Sequence, residues 1–325
     1  MYYALCICLC VAMGLLARAA GSLLVLAAAS PVKRLTRDWP AHSRAHLLFV
    51  LRLLPAAAGL IFTVAVALPS FLLLEPVHTK ERVGLRLLAL AGLGLGVVLS
   101  GAYRAVLAWT RLARLRRHWM RSATRLTTAM TGVAVFEVTD PGAQIVVTGI
   151  CKPTVFFSRQ VLSSLTASES AAAVAHEMAH VSARDNLKQL LLQATGLAFF
   201  DRLSGLDREW RLAAEMAADE AALRAGTPVL ELASALVKVA RMRFVPDLAP
   251  GIAVSYFLPP GKDSMLAARV EHLKDLLERG EPIQAPSKAT SLRWFSLAAA
   301  LALISAIVLH SNLLLLTHEL LEKLV

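Results

Sequence analysis

Four long apolar runs dominate the chain, at about 3–29, 47–74, 83–109 and 294–317. Each supplies the ~20 apolar residues needed to cross a bilayer core. Between the third and fourth runs the pattern changes. VAVFEV (133–138), QIVVTG (144–149) and TVFFS (154–158) are short and β-rich, with the turn signal Asp140-Pro141-Gly142 between the first two. They predict a small sheet of two or three strands, whose edge can hold an extended peptide by strand addition. Thr166-Ala-Ser-Glu169 predicts a capping box opening a helix that runs to about Asn186. LKQLLLQATGLAFF (187–200) is apolar but too short to span comfortably, and is expected to pack on the membrane helices or dip into the interface. Further helices are predicted at about 207–225, 228–243 and 263–279. The stretch PDLAPGIAVSYFLPPGKDS is expected to be a loop, and EPIQAPSKAT (281–290) a linker into the last span. The expected organisation is therefore three transmembrane helices in 1–110, a cytoplasmic domain in 111–290, and a fourth transmembrane helix with a short tail in 291–325. The fold class is a mainly α integral membrane protein, with four transmembrane helices and a small α+β domain.

Composition agrees with the apolar runs. The chain is 57% hydrophobic, with a mean hydropathy of +0.59. A net charge of +11 raises the question of nucleic acid, but no basic stripe interleaved with aromatics and no zinc-finger, RNP or basic-zipper pattern accompanies it. Basic loops flanking membrane helices account for the charge better. Lys33, Arg34, Arg37 and Arg44 crowd the first connection, and six arginines lie in 111–125. The 75–82 connection is balanced. The positive-inside rule then puts 111–290 in the cytoplasm and both termini outside, in a bacterial inner or plasma membrane. Ala17-Arg18-Ala19 mimics a signal-peptide cleavage site, but the leading Met-Tyr-Tyr carries no basic side chain. Arg18, Arg52, Arg86 and Arg104 fall within the apolar runs, where a guanidinium is costly unless it snorkels or faces a polar cavity. Cys6, Cys8 and Cys10 have neither zinc-knuckle nor redox spacing and read as small apolar side chains.

The chemistry concentrates in AAAVAHEMAHVSARDN (171–186). Positions four apart share one face of a helix, so His176 and His180 can hold one Zn²⁺, with Glu177 at the edge of that face as the general base acting on water. A catalytic zinc needs a third protein ligand and an open position. Glu215 is the best candidate, and Asp219, one turn on, can accept a hydrogen bond from a ligand histidine. Glu209 is the weaker alternative ligand, and Glu220 the alternative acid, pointing elsewhere on the helix. His42-Ser-Arg-Ala-His46 repeats the histidine spacing without an adjacent Glu, and is expected to be solvated or to face headgroups. His318-Glu319 starts like the motif and fails at the fifth position, so no metal is assigned there.

On these residues the chain resembles the BlaR/MecR-type membrane zinc metallopeptidases, gluzincin-like transducers that trigger inactivation of a transcriptional repressor. The matching elements are TGICKPTVFFS (148–158), LTASESAAAVAHEMAH leading to SARDNL, REWRLAAEMAADEAAL (208–223) and LAARVEHLKDLL (266–277). The resemblance implies zinc ligands His176, His180 and Glu215, Glu177 as catalytic base and Asp219 as the orienting carboxylate. It implies a protein or peptide substrate, a lipid bilayer around the spans and a sensor or regulatory partner protein. The family's antibiotic sensors continue into an extracellular penicillin-binding domain. No S-x-x-K site follows the last apolar run in this sequence, so β-lactam sensing within it is not expected. HtpX-type and CAAX-prenyl-type proteases share the motifs. In the HtpX type, however, two spans separate them, and only 34 residues lie between His180 and Glu215 here. Three functions follow as expectations: a regulatory endopeptidase, including cleavage of its own chain; a quality-control protease; and a catalytically silent membrane scaffold.

Overall fold

The computed structural model describes residues 2–74, 83–126, 133–140, 144–150, 152–196, 203–242, 255–256 and 263–280. The expected fourth span, the linker before it, Cys151 and the His318 segment lie outside the described residues.

Three helical stretches are long and apolar enough to cross a membrane. They are α1 (Tyr2–Leu35), the continuous run of α2 (Ala41–Phe62), a π-helical turn (Thr63–Ala67) and α3 (Leu68–Leu74), and α4 (Leu85–Met120). At 1.5 Å per residue each is roughly 50 Å long, against a hydrocarbon core of ~30 Å. Each therefore overhangs the bilayer. For α4 the reason is local: RLARLRRHWM contains no Gly or Pro and is rich in good helix formers, so the helix outlasts its apolar run. Arg117 and His118 in its last turn complement the helix dipole. Where α1 crosses the second span, small residues set the spacing. A Cβ on Gly14 would collide with the Thr63 hydroxyl, which itself bonds the Gly59 carbonyl at 2.8 Å.

The domain beyond the spans is built on a five-stranded sheet. Its strands are β1 (Thr124–Leu126), β2 (Ala134–Val138), β3 (Ile145–Thr148), β4 (Thr154–Ser158) and β5 (Ser255–Tyr256), in the order β1-β2-β4-β3-β5. Three of these strands correspond to the predicted runs, but their arrangement differs from expectation. Strands β2 and β3 are not neighbours: β4 lies between them, parallel to β2 and antiparallel to β3. The physical reason is burial. TVFFS is apolar on both faces and takes the centre, whereas β2 keeps partly exposed positions. The β3 side of the sheet carries β5 of the same chain, paired antiparallel.

Side chains alternate across the sheet. Val155 and Phe157 of β4, with Ile145 and Val147 of β3, share a core with five helices: α5 (Arg159–Ser164), α6 (Ala167–Ala183), α8 (Ser204–Arg224), α9 (Val229–Arg241) and α10 (Asp263–Arg279). Phe156, Val146 and Val138 face the other way, onto Leu112 and Trp119 of the α4 overhang. Phe156 and Phe157 are almost fully buried, each contributing about 1.5–3 kcal/mol. Trp119 Nε1 donates to Asp140 at 2.9 Å, so the third span is tied directly to the sheet.

The helix expected to run to Asn186 instead ends at Ala183. Arg184 has φ 55°, and α7 (Asp185–Thr195) starts immediately after it. Two buried polar residues hold this break. Asn186 donates to the Val147 and Gly149 carbonyls at 3.1 and 3.2 Å, and Asp185 turns back toward α6. Helix α7 packs against α4 with its last turn touching Gly101, where a Cβ would strike the Ala194 carbonyl. Helix α8 (Ser204–Arg224) lies against α2 through Leu48, Ala45, Leu206 and Trp210.

Candidate metal centre

Helix α6 is positioned by its N-terminus. The Thr166 hydroxyl accepts from the Glu169 amide at 3.2 Å, and the Glu169 carboxylate accepts from the Thr166 amide at 2.8 Å, as the capping-box pattern predicts. Glu169 also receives Ser234 at 2.6 Å and Lys238 at 2.7 Å from α9. Burial pushes its carboxyl up, but Lys238, Ser234 and the Thr166 amide outweigh burial and hold it at about 2.

Three turns along, α6 turns His176, Glu177 and His180 inward, where all are buried. Helix α8 brings Glu215 and Asp219 to the same point from one face, one turn apart. Ligand atoms of His176, His180 and Glu215 lie within 4.8 Å of one another. His176 Nδ1 meets Asp219 at 2.8 Å and His180 Nδ1 meets Asp185 at 2.7 Å. A carboxylate beside Nδ1 makes that nitrogen the N–H donor, which leaves Nε2 with its lone pair. The two Nε2 atoms face each other at 3.1 Å, and Glu215 oxygens stand 3.5 and 3.7 Å from them. Two lone pairs at that distance repel, so either a proton on one Nε2 or a metal ion held with the Glu215 carboxylate must lie between them. Both Glu177 oxygens are buried without a hydrogen-bond donor among the described residues, which again suits a neighbouring positive charge. The donor set of two imidazoles and a carboxylate is that of a catalytic zinc.

The fourth element is Arg269 of α10, fully buried. It grips Asp219 with two bonds, at 2.8 and 2.6 Å, and reaches Glu215 at 3.0 Å. Burial lowers the guanidinium's proton affinity, but Asp219 and Glu215 raise it further and keep it charged. Burial likewise pushes the Glu215 and Asp219 carboxyls up, and Arg269 above all holds both well below the carboxylate range, helped by the histidines. Asp185 is held low against burial by His180 and Lys188. Glu177 differs: burial dominates and pushes it up to about 7, against the pull of His180 and His176. His180 is raised well above its ordinary value, since Glu215 and Asp185 outweigh burial.

The other residues singled out in the sequence lie elsewhere. Glu220 accepts from His272 at 3.1 Å, away from the cradle. Glu209 pairs with Arg44 at 2.8 Å and Lys33 at 3.5 Å, fastening α8 to the overhangs of α1 and α2. His42 and His46 lie in the first turns of α2, His42 exposed as expected and His46 half-buried, and both line a cavity of about 370 Å³ with Ala-rich faces of α6 and α8.

Two members of the site were not singled out from sequence. Arg269 sits between Met265 and Leu273 at four-residue spacing, all three buried, so the legible signal was a charge on an apolar stripe. Asp185 had no such signal, because the break that swings it toward His180 contains neither Gly nor Pro.

Residues 110–206 match the model of peptidase family M48, a family of metal-dependent peptidases. The matched segment holds His176, Glu177 and His180 and ends before Glu215. No curated protein matches the chain.

Proposed function

We propose that this chain is a membrane-embedded zinc endopeptidase that hydrolyses peptide bonds of a cytoplasmic or membrane-proximal regulatory protein. The single observation that carries the reading is the pair of facing Nε2 atoms, each backed by a carboxylate on Nδ1, with Glu215 beside them. His176, His180 and Glu215 would hold the metal. When bound, zinc polarises the scissile carbonyl and lowers the pKa of water. Glu177 takes the proton of the attacking water and hands it to the leaving amine. Its burial gives it a proton affinity suited to both transfers near neutral pH. Asp219 and Asp185 fix the two imidazole tautomers. Arg269 holds Asp219 and Glu215 in place.

A regulatory substrate, in the manner of BlaR/MecR-type transducers, is supported by the short path between the motifs. Helix α7 has 11 residues and lies against α4, so no pair of crossings separates α6 from α8 as in the HtpX type. Cleavage of the chain itself belongs to the same reading, because β5 already lies antiparallel along β3. The arginine-rich overhang of α4 supports a cytoplasmic domain.

Glu177→Ala should abolish cleavage while leaving metal content near normal, and unchanged proteolysis in that variant would refute the assignment. Proteomics comparing cells with wild type and with this variant should find one or a few stabilised regulators. The M48 match is equally compatible with the quality-control alternative, which many unrelated stabilised membrane proteins would establish. A silent scaffold would show no stabilised protein at all.

A further inference from the structure

Helix α8 is pinned along the second span by three of its carboxylates. Asp207 pairs with Arg52 at 2.8 Å, in a cavity of about 320 Å³ that Arg104, Arg111 and Arg211 also line. Glu209 pairs with Arg44 at 2.8 Å, and Glu220 accepts from the Ala41 amide at 3.4 Å. Their order along α8 is the reverse of that along α2, so the two helices run antiparallel. The helix that carries Glu215 and Asp219 is thereby fixed against the second span.

The last of these contacts reaches further. Ala41 opens α2, and Pro40 before it supplies no side-chain cap. The first amides of a helix need acceptors and carry the positive end of its dipole, so a carboxylate is well placed there. Glu220 is buried, at 7% exposed, and the same Oε1 accepts from His272 Nε2 of α10 at 3.1 Å. His272 stands three residues after Arg269, on the same side of α10. Helices α8 and α10 are therefore joined by two rungs: Arg269 on Asp219 and Glu215, and His272 on Glu220. The first rung grips the metal cradle, and the second ends at the first turn of the second span. A cavity of about 470 Å³ lies between the α1–α2 connection and α10, with Trp39 and Ala41 on one side and Ala268 and His272 on the other. Glu220 bridges that gap.

We infer that Glu220 is a positioning residue: it sets α10, and with it Arg269, against the start of the second span, so that zinc affinity depends on where that span begins. The inference rests on the zinc reading of His176, His180 and Glu215. Arg269 holds Glu215 at 3.0 Å and Asp219 by two bonds, so a shift of α10 moves the third ligand and the carboxylate on His176 together.

Zinc affinity of the full chain in neutral detergent, measured by competition with a chelator, tests this. Glu220→Ala should weaken zinc about tenfold, the lower end for groups that orient ligands. His272→Ala should weaken it by a similar factor, and the double variant should be no weaker than either, because both remove one rung. Glu220→Gln keeps an oxygen for both donors and should restore most of the affinity. Ala41→Pro removes the amide donor alone, at a helix position where Pro is tolerated and behind a Pro40 whose φ of −52° and ψ of 136° suit it. It should weaken zinc at least about twofold, since one amide bond to a charged acceptor is lost. The visible spectrum of the cobalt-loaded chain should change in Glu220→Ala and return in Glu220→Gln, which a loss of stability alone would not produce. Wild-type zinc affinity in Glu220→Ala or in Ala41→Pro, or losses that add in the double variant, would overturn the inference while leaving the zinc site standing. A wild type that binds no zinc would remove the site, and the inference with it.

Discussion

The metal cradle and the arginine cavity bury charge of opposite sign by opposite means. In the cradle, Glu177, Asp185, Glu215 and Asp219 surround Arg269, with Lys188 the other cation on Asp185. Every side chain comes from a helix packed against another, and His176, His180 and Glu215 converge with ligand atoms within 4.8 Å of one another, where a metal ion fits. In the cavity between α2, α4, α7 and α8, Arg52 is paired with Asp207 at 2.8 Å and Arg104 rests on the Gly196 carbonyl at the end of α7. The difference lies in rigidity: the cradle fixes its charges on both sides by side-chain pairs, whereas in the cavity Arg104 rests on a single backbone carbonyl.

The comparison breaks first at its arginines. Arg269→Ala leaves Asp219 and Glu215 buried without their partner and should cost about 3–5 kcal/mol in denaturant unfolding. Arg269→Lys should recover little of it, because a Lys cannot make the two-pronged contact to Asp219. Arg211→Gln in neutral detergent should change stability by less than about 0.5 kcal/mol. Equal costs at the two positions would erase the distinction.

Next in size is the outer support of the cradle. Asp185→Ala removes the acceptor on His180 Nδ1 and should weaken zinc affinity about 10–100-fold, measured by competition with a chelator. Affinity within a factor of two of wild type would mean that the imidazole is oriented by packing alone.

For the membrane side, Gly101→Ala should cost about 1–3 kcal/mol, since its Cβ strikes backbone of α7. Gly92→Ala, with open space around it on the same helix, should stay within about 0.5 kcal/mol.

The last effect is pH-dependent. Glu169 is depressed from 4.5 to about 2, so its stabilisation is complete above 4.5 and is lost as pH falls through about 2. The melting-temperature gap between wild type and Glu169→Gln should be widest at neutral pH and close progressively below pH 4.5. A gap independent of pH would show that the cap, not the charge, matters.

How much of this was legible follows from the range of each interaction. Spacing within one helix placed His176, Glu177 and His180 on one face, and Thr166 with Glu169 at its start, because those relations are local. Glu215 with Asp219 was readable for the same reason. Asp185 needed a left-handed Arg184 that no Gly or Pro announces, and Arg269 needed the packing of α10 onto α8, a long-range fact. The order β2-β4-β3 was likewise invisible, because strand patterns give burial and not neighbours. Hydropathy located the spans, but their overhangs depended on helix propensity beyond the apolar runs.

The central claim is that His176, His180 and Glu215 form one zinc site. Metal content of the purified full chain tests it most directly, comparing wild type, Glu177→Gln and Glu215→Ala. Near-stoichiometric zinc in the first two and its loss in Glu215→Ala is the predicted result. Zinc at wild-type levels in Glu215→Ala, or no zinc in the wild type after supplementation, would contradict it.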